Sequence, residues 1–185
     1  MKNRFLYPLL EKTSKPLWLT VLLAIYVFFQ FAFNGLFGVN MTHLKELAGG
    51  VTMPDLHFYY TRDFLQNLFN SYGESGIKEY MQLQLVDMIY PVAYALLLSS
   101  LLFIPYKNTK TYYLIYFPFI AIVFDYFENF AIRYLATAYP DMSNGVVHFA
   151  AFCTSWKWIF IAISILSIFY GFGLMIYRKY GKNMP

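Results

Sequence analysis

The chain has 185 residues, of which 59% are hydrophobic, 22% aromatic and 13% charged, with a mean hydropathy of +0.45 and a formal net charge of +4. A soluble domain of this size would have too few polar groups to cover its own surface, which excludes a water-soluble globular protein. The single cysteine, Cys153, excludes an intramolecular disulfide and a cysteine-based zinc site, and basic residues dispersed without a patch argue against nucleic acid as a partner.

About 20 mostly apolar residues cross the roughly 30 Å hydrocarbon layer of a bilayer, and four stretches qualify: 17–37, 83–104, 112–136 and 150–177. The first, Leu17 to Phe37, follows a basic leader with Lys2, Arg4, Lys12 and Lys15. Its apolar run exceeds the core of a signal peptide and no small-residue cleavage site follows, so it is expected to stay as an anchor. The connection 38–82 comes next. In it Leu56, Tyr60, Phe64, Leu65, Leu68 and Phe69 recur at helical spacing between Pro54 and a stop at Tyr72-Gly73, which predicts a short amphipathic helix. Its stripe rests on interfacial lipid or, as the better expectation, caps the bundle. Ser75 then caps a helix running through Ile77, Tyr80 and Met81 into the second span.

The second span ends at Pro105, and the short turn from Tyr106 to Thr111 makes it an antiparallel neighbour of the third. The expected fold is therefore all-α: one domain over 1–185, a four-helix transmembrane bundle with an amphipathic helix in the loop between spans 1 and 2. Lys107 and Lys110 in the turn, and Arg178, Lys179 and Lys182 in the tail, fall on the side of the basic leader. Acids outnumber bases in the connection 38–82, where Glu46, Asp55, Asp63, Glu74 and Glu79 face Lys45, Arg62 and Lys78. The positive-inside rule then puts the N and C termini in the cytoplasm and the long connection outside.

Hydrocarbon rejects ionised side chains, at about 2.5 to 3.5 kcal/mol each at a helix centre, so those inside spans face the bundle interior and find partners. Asp87, Tyr90, Pro91 and Tyr94 share a face of the second span, with Pro91 as a kink. Asp125, Glu128 and Asn129 share a face of the third, which Arg133 continues one turn on. Lys157 lies about two turns into the fourth between Trp156 and Trp158, and Gln30 and Asn34 share a face of the first. With alternating helix directions all of these fall in the outer half of the bundle. Lys157 is expected to bridge toward Asp125 or Glu128, with Asp87 close enough to be coupled, because such groups must pair, share a proton or hold a cation.

The run from Tyr72 through Gly73-Glu74 and Tyr80 to Asp87, Tyr90-Pro91 and Tyr94, then Asp125-Tyr126-Phe127-Glu128-Asn129 and Lys157, resembles a group of uncharacterised four-helix integral membrane proteins of bacteria. The resemblance covers roughly residues 55 to 160. It implies a location in the bacterial inner membrane and a shared polar face, and no chemistry.

His43 and His57 lack metal-ligand spacing, and His148 reads as an interfacial histidine at the outer mouth. No paired-histidine motif, nucleophile elbow, phosphate-binding loop or dinucleotide fingerprint occurs, so neither a metal nor a cofactor is expected. Three readings of the cluster remain open. It binds a lipid-like ligand or a cation; it only fixes helix packing in an accessory protein; or it supplies Asp125 or Glu128 as acid or base in an embedded lipid-modifying enzyme. The first is preferred. Besides the lipid bilayer, the expected partner is a second copy of the chain or another membrane protein.

Overall fold

The computed structural model describes residues 6–36 and 39–180. Lys2, Arg4, Phe37 and Lys182 of the sequence reading lie outside the described residues. Within them the chain is all-helical, with no strand.

Helix α1 (Tyr7–Thr13) meets α2 (Pro16–Ala32) at 86°. Pro16 forces this bend, because it has no N–H to continue a helix and drives Lys15 into an extended conformation, ψ 148°. At the other end α2 stops at Ala32, short of the expected Phe37. The backbone turns through Gly35, whose φ of 131° favours glycine, and Met41 N–H returns to the Phe33 carbonyl at 2.8 Å.

The connection is more structured than its pattern suggests. A helix absent from the sequence reading, α3 (Met41–Leu47), is capped by the Asn40 side chain, which accepts from His43 N–H at 3.1 Å. The amphipathic helix does not begin near Pro54. Residues Pro54–Leu56 make a single 3-10 turn, and helix α4 (Arg62–Asp87) starts only after Thr61, whose hydroxyl accepts from Phe64 N–H. Leu56 and Tyr60 therefore fall outside it. Leu65, Leu68 and Phe69 remain on one face and are buried with Tyr72 and Tyr80, so this stripe packs on the core. The stop at Gly73 is a kink within α4, with φ 60° and ψ −175°.

A second break decides the position of the site. Helix α4 ends at Asp87 and α5 (Tyr90–Tyr106) follows after two residues, so the stretch 83–104 is interrupted rather than continuous. Pro91 cannot donate to the carbonyl of Asp87 four residues earlier, and its ring crowds that carbonyl. Asp87 consequently sits at a helix end.

After a 3-10 turn (Tyr112–Tyr116), α6 (Phe117–Ala138) runs back and packs along α7 (Asn144–Tyr180). At 37 residues α7 is about 55 Å long, well beyond the thickness of a hydrocarbon layer. Helix α5 packs against α2, α6 and α7. The stretch Arg62–Tyr106, the stretch Tyr112–Ala138 and α7 are each long and apolar enough to cross a membrane, and the bent pair α1 and α2 makes a fourth if counted as one span.

Candidate functional site

On α6, Asp125, Glu128 and Asn129 are spaced by three and four residues and so share one face, which is buried against the bundle. On α7 the same spacing puts Thr154 and Lys157 on the face that meets α6. Lys157 Nζ lies 2.7 Å from Glu128 Oε2 and 3.5 Å from Asp125 Oδ1. Thr154 donates to Glu128 Oε1 at 2.6 Å. Glu128, fully buried, is thereby held by two neighbours on α7, through an ion pair at Oε2 and a hydrogen bond at Oε1.

Asp125 holds the centre. Besides Lys157, it accepts from the Tyr94 hydroxyl of α5 at 2.9 Å and from Asn129 Nδ2 at 3.5 Å. The same Asn129 amide donates to Asp87 Oδ2 at 3.0 Å, so one side chain ties the carboxylate at the α4 end to the one on α6. Among the described residues Asp87 has no cationic partner. Gln30 of α2 donates to the Tyr90 hydroxyl at 2.9 Å, and Asn34 donates to the Gln30 carbonyl. The structure thus brings together Asp87, Asp125, Glu128, Asn129, Lys157 and Tyr94, with Tyr90 and Gln30 alongside. Arg133 goes elsewhere: its guanidinium donates to the Met81 carbonyl at 3.2 Å and joins α6 to α4.

A cavity of about 410 Å³ opens beside this network. Asp87, Asp125 and Lys157 form its polar end together with Asp55, while Tyr26, Tyr90, Tyr94, Trp158 and aliphatic side chains of α2, α5 and α7 make its walls. Glu128 and Asn129 stand behind that surface and do not line it. Leu23 of α2 and Ile165 of α7 are both wall residues and exposed, and α2 and α7 pack on α5 rather than closely on each other. The cavity therefore reaches the side of the bundle between these two helices.

Asp55 is the site residue that sequence reasoning missed. Pattern alone placed it at the start of a surface helix. Instead, residues 53–60 form a strap laid along α7: Trp158 Nε1 donates to the Asp55 carbonyl at 3.0 Å, and Ser155 Oγ donates to the Phe58 carbonyl at 2.6 Å. His148 Nδ1 meets the Tyr59 hydroxyl at 2.9 Å. Asp55 Oδ1 is enclosed without a hydrogen-bond partner. Burial, and then the Glu128 carboxylate, push the phenol of Tyr60 above its ordinary range, so it stays protonated. The only sequence signal was Trp158, an indole with a donor that needs an acceptor when half-buried.

Among the described residues no group of three or more His, Cys, Asp or Glu has the geometry to hold a metal ion. No protein-family model, curated protein or solved structure matches the chain. The chemistry of the site is accordingly read from its own residues. It offers a volume within the roughly 300–1,000 Å³ of small-molecule sites, mostly apolar walls, and charge gathered at one end.

Proposed function

We propose that the chain is a four-helix integral membrane protein of a bacterial inner membrane, with both termini cytoplasmic, whose cavity binds a lipid-like ligand or a cation. The four crossings are α2, the broken α4–α5 helix, α6 with its preceding turn, and α7. Lys12, Lys15, Lys107, Lys110, Arg178 and Lys179 support this orientation, since four crossings gather them on one side.

The observation that carries the binding reading is the cavity itself. A cluster that only fixed helix register would sit in a filled core, where a void forfeits packing contacts. Here an apolar-walled space ends on Asp55, Asp87 and Asp125, and reaches the bundle side between α2 and α7, where an amphiphile in the bilayer has direct entry. The Glu128–Lys157–Thr154 group, in which Lys157 on the wall is paired with Glu128 behind it, favours a second, partial role in packing, because every member is buried.

Trp158 lines the cavity and reports on its occupancy. In a Trp18→Phe, Trp156→Phe background in detergent micelles, a brominated alkyl alcohol should quench Trp158 fluorescence saturably. Leu98→Phe, which fills the cavity from α5, should leave only linear quenching. Linear quenching in both proteins would mean that the space takes no amphiphile, and the packing role would then account for the whole cluster.

A further inference from the structure

The charges around the cavity are not balanced. Three carboxylates, from Asp55, Asp87 and Asp125, share its polar end with one lysine. That lysine is already engaged at 2.7 Å by Glu128, a fourth carboxylate outside the wall. Asp125 retains Tyr94, Asn129 and the longer lysine contact, whereas Asp87 has Asn129 only, and Asp55 Oδ1 has no partner although it is enclosed. Carboxyls gathered in a poorly hydrated space share protons or take up a further positive group, and a cationic ligand would satisfy them here.

The aromatic walls point the same way. Tyr90 stands between Tyr26 and Tyr94, with ring centroids 5.7 and 5.6 Å apart, and Trp158 closes the strap side. Lys157 Nζ already lies 5.9 Å from the Trp158 ring centroid, so a cation is held against one of these rings. Electron-rich faces beside unpaired carboxylates suit an alkylammonium, whose charge is diffuse and whose substituents tolerate a dry pocket. Small hydrated metal cations fit less well, since no metal-holding group of ligands is formed among the described residues.

Resting on the binding reading above, we infer that the ligand of this cavity is a cationic amphiphile, an alkylammonium whose head lies between Asp55, Asp87 and the tyrosines and whose chain leaves between α2 and α7. The inference concerns charge type and is tested at Asp87, whose carboxylate has Asn129 as its one hydrogen-bond partner and no cationic partner among the described residues.

The test uses the full-length protein in detergent with Trp158 as the single tryptophan, and competition against the brominated alcohol by four probes. Three share a dodecyl chain and carry a trimethylammonium, hydroxyl or sulfate head, and the fourth is tetramethylammonium. The dodecyl trimethylammonium should compete at least about tenfold better than the alcohol, a difference of about 1.4 kcal/mol, and the sulfate should be the weakest of the three. Asp87→Asn should erase that preference while the alcohol still competes, which shows the cavity intact. Equal competition by alcohol and ammonium, or better competition by sulfate, overturns the inference but leaves the cavity as an amphiphile site. Tetramethylammonium competing as well as its dodecyl relative overturns the amphiphile in favour of a free organic cation. Competition by none of the four overturns the binding reading itself.

Discussion

Lys157 Nζ stands closer to Glu128, 2.7 Å away and behind the cavity wall, than to Asp125, 3.5 Å away and on it. The cluster thereby divides into a closed ionic pair that joins α6 to α7 and an open acidic surface at the end of α4. The two halves differ in what they contribute to stability, and the difference is measurable.

Glu128→Gln leaves Lys157 buried with only its longer ion pair, to Asp125, and breaking a buried pair from one side costs about 3 to 5 kcal/mol. Asp87→Asn replaces a carboxyl that has no cationic partner among the described residues, keeps an acceptor for Asn129, and should leave the thermal midpoint unchanged or higher. Thermal unfolding in detergent distinguishes the two. A larger loss for Asp87→Asn than for Glu128→Gln would remove the division drawn here.

The strap over the cavity hangs on Trp158. Trp158→Phe keeps the ring but loses the hydrogen bond to the Asp55 carbonyl, worth about 0.5 to 1.5 kcal/mol net. Amide exchange at Leu56 and His57, whose N–H groups close the 3-10 turn onto Met53 and Pro54, should accelerate about two- to tenfold by hydrogen-exchange mass spectrometry. Unchanged exchange would assign the strap to Ser155 and His148 instead.

Packing of α7 on the end of α5 depends on a missing side chain. A Cβ at Gly171 would stand 2.8 Å from both Cβ and Cγ of Pro105. Gly171→Ala should cost about 1 to 3 kcal/mol through overpacking against a rigid ring. Gly173→Ala, two residues on with open space around it, should instead gain a few tenths to about 1 kcal/mol from helix propensity. Opposite shifts in midpoint are expected; two shifts of the same sign would contradict the contact.

Gln84 is buried on α4 with neither Oε1 nor Nε2 hydrogen-bonded. An unpaired buried amide carries a desolvation cost of about 1 to 3 kcal/mol, so Gln84→Leu should raise the midpoint. A fall would show that the amide is paired in solution.

Much of the site was legible before any coordinates. Spacing of three and four residues put Asp125, Glu128 and Asn129 on one helical face, and helix direction brought Lys157 to their depth. Asp55 escaped because its segment carries a helical apolar pattern, yet Trp158 and Ser155 capture its carbonyls and hold it non-helical. Arg133 lies one turn beyond Asn129 on the same helix, but periodicity gives a face and not a partner, and its guanidinium binds the Met81 carbonyl of α4 rather than a carboxylate.

The amino-acid sequence by itself determined the helical class, the apolar stretches and the set of ionisable residues among them, since hydropathy, helical period and proline chemistry act within a few residues of chain. Only the tertiary structure decided which carboxylates lie on the cavity wall and which behind it, that the connection returns to cover the cavity, and that Pro91 leaves Asp87 at a helix end beside it. Those outcomes depend on distances between segments far apart in the chain, which local periodicity does not encode.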